Sequence, residues 1–224
     1  MSLSKVIETA RADLGYTENP PGSNMTKYGE AYGMNGQPWC VMALWYWFNQ
    51  AGERMAFFGG GKTASCGTLL RWYKEQGLTV PEDQVQPGDI VILDFTGRKL
   101  DTAHCGIVTK TWWGPHGLDR IETIEGNTAN GSGSQSDGGC VCAKMRYPSQ
   151  LTGICRPQYK PDDPQPVDDV SGHWFTPSVE WAKEKGLIKN YPDGSFKPDQ
   201  PITRAEMCVM LERFYQLLWE DDMR

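Results

Sequence analysis

The chain has 224 residues, with 22 lysines and arginines against 28 aspartates and glutamates, for a formal charge of −6. That length holds one or two domains able to bury a core, and 25 glycines with 15 prolines fall short of a low-complexity composition. The charge lacks the basic footprint that nucleic acid requires, and the longest apolar run, residues 41–48, is far shorter than the roughly 20 residues that span a bilayer.

Leu3, Val6, Ile7, Ala10 and Leu14 recur at helical spacing, and Gly15 ends the run. The start, Met1-Ser2-Leu3-Ser4-Lys5, leads into this amphipathic stretch rather than a signal peptide, so synthesis in the cytoplasm is expected. Residues 16–38 are rich in Gly, Asn and Pro and read as irregular. A second helix is predicted from Pro38-Trp39-Cys40 to Gly52, since proline suits a first helical turn and Val41, Leu44, Trp45 and Phe48 continue a stripe. A third runs from about Ser65 to Gln76, closed by Gly77. Strands follow at 89–95, 104–112, 120–127, 139–147 and 152–159, separated by glycine-rich turns. Helices followed by short strands predict an α+β domain with an antiparallel sheet.

Residues 160–169 hold three prolines and four aspartates, too polar and stiff to pack a core. The predicted division is therefore a first domain over 1–160, a linker over 161–169 and a second domain over 170–224. Residues 1–160 carry 15 basic and 15 acidic side chains, so the whole −6 lies in the remainder. In the second domain, Thr176-Pro177 opens a helix ending at Gly186, residues 191–196 form a turn, and Thr203-Arg-Ala-Glu206 is a capping box. Met207, Met210, Leu211, Phe214 and Leu218 give the last helix its apolar stripe.

A nucleophile needs a base, and the base an orienting acceptor. Cys40 stands at a predicted helix N-terminus, where unpaired amides favour a thiolate. His104 begins a strand, and Glu125 and Asn127 alternate on another, so either is placed to accept from its ring. Gly126 between them permits close backbone approach. The remaining cysteines form no paired CxxC, so no metal site is expected. An odd count of seven predicts mostly reduced thiols. Cys66, Cys105 and Cys155 read as core, with Cys105 on the face opposite His104, and Cys140 and Cys142 as surface thiols on one strand face. His116 reads as a loop residue, and Trp112-Trp113 either stacks on ligand or packs at a strand end.

Glu18-Asn19, Thr26-Lys-Tyr28, Gln37-Pro-Trp-Cys40, Pro87-Gly-Asp89, His104-Cys-Gly-Ile-Val108 and Ile124-Glu-Gly-Asn127 together resemble a CHAP domain. This is the cysteine, histidine-dependent amidohydrolase/peptidase family, related to NlpC-type and papain-like peptidases. The resemblance covers about residues 6–159. It implies a papain-like fold and hydrolysis of peptidoglycan amide bonds, with Cys40 as nucleophile, His104 as base, Glu125 as its orienting acid and Asn127 as a further polar partner. It also makes Gln37 a second oxyanion donor beside the Cys40 amide. Some members bind calcium through an aspartate-rich loop before the nucleophile. Here residues 27–39 hold only one acid, Glu30, so no cofactor is expected.

Asp169-Val-Ser-Gly-His-Trp174, Lys185-Gly-Leu-Ile188, residues 191–199 and Ile202-Thr-Arg-Ala-Glu206 resemble an S-layer homology (SLH) module. That resemblance implies binding to pyruvylated secondary wall polysaccharide, with Arg204 on the anionic ketal, Trp174 against sugar, and Gly194 allowing close backbone approach. Such modules usually occur in threes; a single copy predicts self-association as a trimer. The combination is expected to be a wall-lytic, endolysin-like enzyme. A host autolysin and a non-catalytic wall-binding scaffold are the alternatives.

Overall fold

The computed structural model describes residues 2–98, 103–160, 169–191 and 195–222. Contacts divide the chain into Met1–Pro161 and Asp162–Arg224. The expected linker, apart from Asp169, lies outside the described residues, as does Gly194.

The first unit begins with helices α1 (Ser2–Ala12), α2 (Lys27–Tyr32), α3 (Cys40–Gln50), α4 (Arg54–Phe58) and α5 (Cys66–Glu75). Strands β1 (Ile90–Leu93), β2 (His104–Gly114), β3 (Gly117–Thr128), β4 (Cys140–Arg146) and β5 (Leu151–Cys155) follow. They form one antiparallel sheet in the order β4-β3-β2-β1-β5. The unit is α+β, with the helices collected before the sheet as expected.

Helices α2 and α4 were not anticipated. At six and five residues they are too short to show a period. The signals for α2 are its ends: the Thr26 side chain accepts from the Gly29 amide, and Gly33 closes the helix at φ +84°. The helix places Tyr28 in the core, stacked on Trp39 with ring centroids 5.1 Å apart.

β1 is buried on both faces. Ile90 and Ile92 join Cys105, Ile107, Ile124 and Val141 against Val41, Leu44, Trp47 and Phe48 of α3 and Leu69 and Leu70 of α5. Val91 and Leu93 join Val108, Ile121, Leu151 and Ile154 on the other face. Each fully buried large apolar side chain contributes about 1.5–3 kcal/mol, so α3, wholly apolar from Val41 to Phe48, is pressed onto the sheet. Its first residue, Cys40, is thereby held near the start of β2 and the end of β3.

In the second unit, α6 (Thr176–Glu184) starts with Pro177 in its first turn, and α7 (Arg204–Asp222) is the long helix. The capping box forms: the Thr203 amide donates to the Glu206 carboxylate at 2.8 Å and the Glu206 amide to Thr203 Oγ1 at 3.2 Å. Asp169 accepts from the amides of Phe196 and Lys197 at 2.8 and 2.6 Å, tying the start of the module to its loop. The apolar stripe of α7 is not a packed face. Met207, Leu211, Phe214 and Leu218 are 46, 59, 43 and 53 % exposed. No helix among the described residues is long and apolar enough to cross a membrane.

Candidate active site

Cys40 is the first residue of α3, preceded by Trp39, whose side chain makes no capping hydrogen bond. The leading amides of the helix are therefore free to act on sulfur and on developing negative charge. Trp39 fixes this corner. It is fully buried, stacks on Tyr28, and donates from Nε1 to Glu18 Oε1 at 3.2 Å. Gly126 on β3 lies directly against it: a Cβ there would stand 2.7 Å from both the Trp39 ring and Ala43 Cβ. The absent side chain lets the strand bearing Glu125 approach the helix bearing Cys40.

His104 and Glu125 are both fully buried, and Nε2 of the ring lies 3.1 Å from Glu125 Oε2. Gly106 makes room for this carboxylate, since a Cβ there would stand 2.6 Å from Glu125 Cγ. Of the two acceptors open in the sequence, the structure selects Glu125. Asn127 is turned away by its φ of +60° and by a register shift between Glu125 and Thr128. Its Nδ2 reaches Ser136 O at 3.5 Å, and its Oδ1 is buried without a partner. Strand alternation, on which the Asn127 expectation rested, fails where the strand bulges.

Glu125 has partners that the sequence reading missed. Arg146, on β4, donates from Nε to Oε1 at 2.8 Å and from Nη2 to Oε2 at 2.5 Å. Thr123 Oγ1 donates to Oε1 at 2.6 Å. The guanidinium lies 4.6 Å from the Phe95 ring centroid, and Phe95 also lies 5.9 Å from the His104 ring. Arg146 is 21 residues from Glu125 and carries no motif; it stands opposite Ile121 on the neighbouring strand, four residues along β3 from Glu125, and only that pairing brings its guanidinium to the carboxylate.

The electrostatics follow. Burial opposes the Glu125 charge, but Arg146 and His104 overcome it and hold its pKa near about 2. Burial likewise opposes a charged ring, yet the Cys40 sulfur and Glu125 raise the His104 pKa to about 9. The Cys40 thiol is brought well below its ordinary value by hydrogen bonds from Cys105 and Cys66, against the cost of burial, with His104 adding to the effect. Glu125 occupies Nε2, and Nδ1 is buried without a hydrogen-bond partner, which leaves it for proton exchange with sulfur. The arrangement favours a thiolate–imidazolium pair next to a fixed carboxylate.

The other expectations divide. Gln37 is exposed just ahead of α3, and the structure brings it into no hydrogen bond with Cys40, His104 or Glu125. Cys105 is fully buried and packs with Ile92 and Ile107, as a core residue should. Its sulfur nevertheless lies beside Cys40 and Cys66, all three Sγ atoms falling within 4.8 Å of one another. Cys155 is buried, which pushes its thiol up to about 12. Cys140 and Cys142 are not surface thiols: they are buried and joined by a disulfide. Both point to one strand face, as their spacing required, and the register shift beside Cys140 lets the two sulfurs meet. His116 is exposed in the β2–β3 turn. The Arg120 guanidinium lies 5.0 Å from the Trp112 ring centroid, while Trp113 is 48 % exposed. In the second unit Trp174 is 90 % exposed, with its ring edge on Phe175, and Arg204 is exposed in the first turn of α7.

Cys40 at the head of a helix, His104 at the head of a strand and Glu125 on the neighbouring strand come together as a buried Cys–His–Glu constellation. Comparison with known families agrees. Residues 32–127 match the CHAP domain and residues 168–208 the S-layer homology domain, so the chain carries a papain-like CHAP domain followed by a C-terminal SLH domain. Among curated proteins, it is 42 % identical over 57 residues to Cell surface glycoprotein 1 of Acetivibrio thermocellus, which is 25 % of this chain and 2 % of that protein. It is 42 % identical over 47 residues to the Cellulosome-anchoring protein of the same organism, 21 % of this chain and 10 % of the relative. It is 33 % identical over 54 residues to Outer membrane protein SlpA of Thermus thermophilus, 24 % of this chain and 6 % of the relative. The chain thus spans a tenth or less of the length of these relatives.

Proposed function

We propose that this protein is a peptidoglycan hydrolase that cleaves an amide bond of the bacterial wall and is held at the wall by its SLH domain. The observation that carries the reading is the buried His104–Glu125 pair at 3.1 Å, which faces the helix-heading Cys40 from within a CHAP domain. The Cys40 thiolate attacks the amide carbonyl carbon while the Cys40 amide donates to the oxyanion. Collapse of the tetrahedral intermediate breaks the C–N bond, and the His104 imidazolium gives its proton to the departing amine. Water then attacks the thioester carbon, His104 takes the proton, and the Cys40 thiolate leaves. Glu125 stays ionised and fixes the ring throughout. No step calls for a metal or cofactor.

The targeting half rests on the SLH match and on two exposed side chains, Arg204 and Trp174. Arginine at the start of a helix, where free amides also face out, suits the carboxylate of an acidic polysaccharide, and a solvent-facing indole suits a sugar face. The exposed α7 stripe supports self-association through this domain, with a trimer as the expected state. Light scattering at micromolar concentration tests it, and a monomer rejects it.

Zymography on purified Gram-positive walls tests the hydrolase reading. Clearing by the protein and none by Cys40→Ala is expected; undiminished clearing by Cys40→Ala overturns the mechanism, and no clearing by either favours a non-catalytic wall binder. Mass spectrometry of released fragments distinguishes a lactyl–alanine amidase from a stem or bridge endopeptidase. We assign the lytic, endolysin-like role on this chemistry; lysis of intact cells from outside by the added protein is its test.

A further inference from the structure

Three of the five free cysteines converge on one point. Cys40 heads α3, Cys66 heads α5, and Cys105 is the second residue of β2. Their sulfurs lie within 4.8 Å of one another, and Cys40 and Cys66 are 3.9 Å apart. Tetrahedral zinc binds thiolate at about 2.3 Å, which sets neighbouring sulfurs about 3.8 Å apart. The Cys40–Cys66 separation already meets this, and the widest pair must close by about an ångström. Cys40 and Cys66 stand at the N-termini of an 11-residue and a 10-residue helix, whose positive dipole ends offset the negative charge of a thiolate set.

His104 interacts with Cys40 but is not among the ligand atoms that fall within 4.8 Å of one another. His104 is fully buried, and its Nδ1 has no hydrogen-bond partner. The ring is already oriented by Glu125 through Nε2 at 3.1 Å. Three sulfurs make a soft donor set suited to Zn²⁺ and without the oxygens that Ca²⁺ or Mg²⁺ require.

We propose that Cys40, Cys66 and Cys105 form a three-sulfur binding site for one Zn²⁺ ion, and that zinc at this site reversibly blocks the enzyme by taking its nucleophile as a ligand. Cys40 enters as the thiolate it already is; binding releases the protons of the Cys66 and Cys105 thiols to solvent, and chelation returns them. Oxidation and reduction play no part. The binding claim stands apart from the hydrolase reading; the blocking claim rests on it.

The test uses the full chain with Cys208→Ser, which removes the exposed thiol on α7. Zn²⁺ is added, affinity and stoichiometry are read by competition with a chromophoric chelator, and the metal shell is read by X-ray absorption at the zinc edge. One ion per chain, with three sulfurs at about 2.3 Å, is the expected result. Cys66→Ser and Cys105→Ser, each checked for folding by circular dichroism, are each expected to weaken binding about 100-fold or more, beyond what an outer-shell change costs. A shell of oxygen and nitrogen, or unchanged affinity in both variants, overturns the site. If a variant does not fold, the absorption spectrum of the protein with all three thiols still decides. Wall clearing is measured in parallel. Zinc-bound protein that clears walls at full rate overturns the block, whereas sulfur-bound zinc in a protein that never clears walls leaves the site standing and rejects the hydrolase.

Discussion

Arg146 grips both oxygens of Glu125, at 2.8 and 2.5 Å, in a pocket where the two side chains are 5 and 0 % exposed. The carboxylate that orients His104 is thus itself oriented, by a two-pronged contact that lysine cannot reproduce. Removing one member of such a pair leaves the other buried and uncompensated. Arg146→Met is expected to destabilise the first domain by about 3–5 kcal/mol, read by urea unfolding. Arg146→Lys should lose less stability yet still lower kcat, because a single ammonium does not fix the carboxylate plane.

Glu125→Gln keeps an acceptor at nearly the same place but removes the charge. The expected fall in kcat is roughly 10²–10⁴-fold, as when the acid of a comparable triad is made neutral. The His104 pKa should drop with it, so the alkaline limb of the activity profile moves to lower pH. A variant with reduced kcat and an unmoved alkaline limb would show that Glu125 does not act through His104.

The metal-free enzyme, kept in a chelating buffer, should show a bell-shaped dependence of activity on pH. The alkaline limb lies near pH 9, where His104 loses the proton owed to the leaving amine. The acid limb marks protonation of Cys40, below its ordinary value. Stability follows the same groups. His104, raised from 6.5 to about 9, contributes fully below pH 6.5 and loses its contribution as pH rises through about 9. Glu125, lowered from 4.5 to about 2, contributes fully above pH 4.5 and loses its contribution as pH falls through about 2. Urea midpoints at pH 7 and pH 10 check the first of these.

Gly126→Ala places a methyl group 2.7 Å from the Trp39 ring and Ala43. Neither neighbour has room to withdraw, so a cost of about 1–3 kcal/mol is expected. The same push separates β3 from the head of α3, so kcat should fall while the protein remains folded. Thermal unfolding with single-turnover kinetics separates the two effects.

Arg204→Ala is expected to weaken retention on wall sacculi about tenfold or more, as loss of a charge-assisted contact of 1.5–3 kcal/mol requires. Hydrolysis of a small soluble amide substrate should be unchanged. Co-sedimentation with sacculi, before and after removal of the acidic polysaccharide, measures it.

The local elements of the site were legible in the sequence because local signals specify them. A proline and an apolar run place Cys40 at the head of α3, a strand begins at His104, and Thr203 with Glu206 caps α7. Each depends on residues within a turn or two of one another. The short helices α2 and α4 escaped because they hold fewer than two turns of pattern. What only the tertiary structure decided depends on pairing between distant segments. Arg146 reaches Glu125 from the next strand, and a register shift beside Cys140 turns Asn127 away from His104. The Cys40–Cys66–Cys105 cluster joins two helix heads to a strand start. Sequence periodicity reports which face a residue takes; only packing decides which residue from another element meets it there.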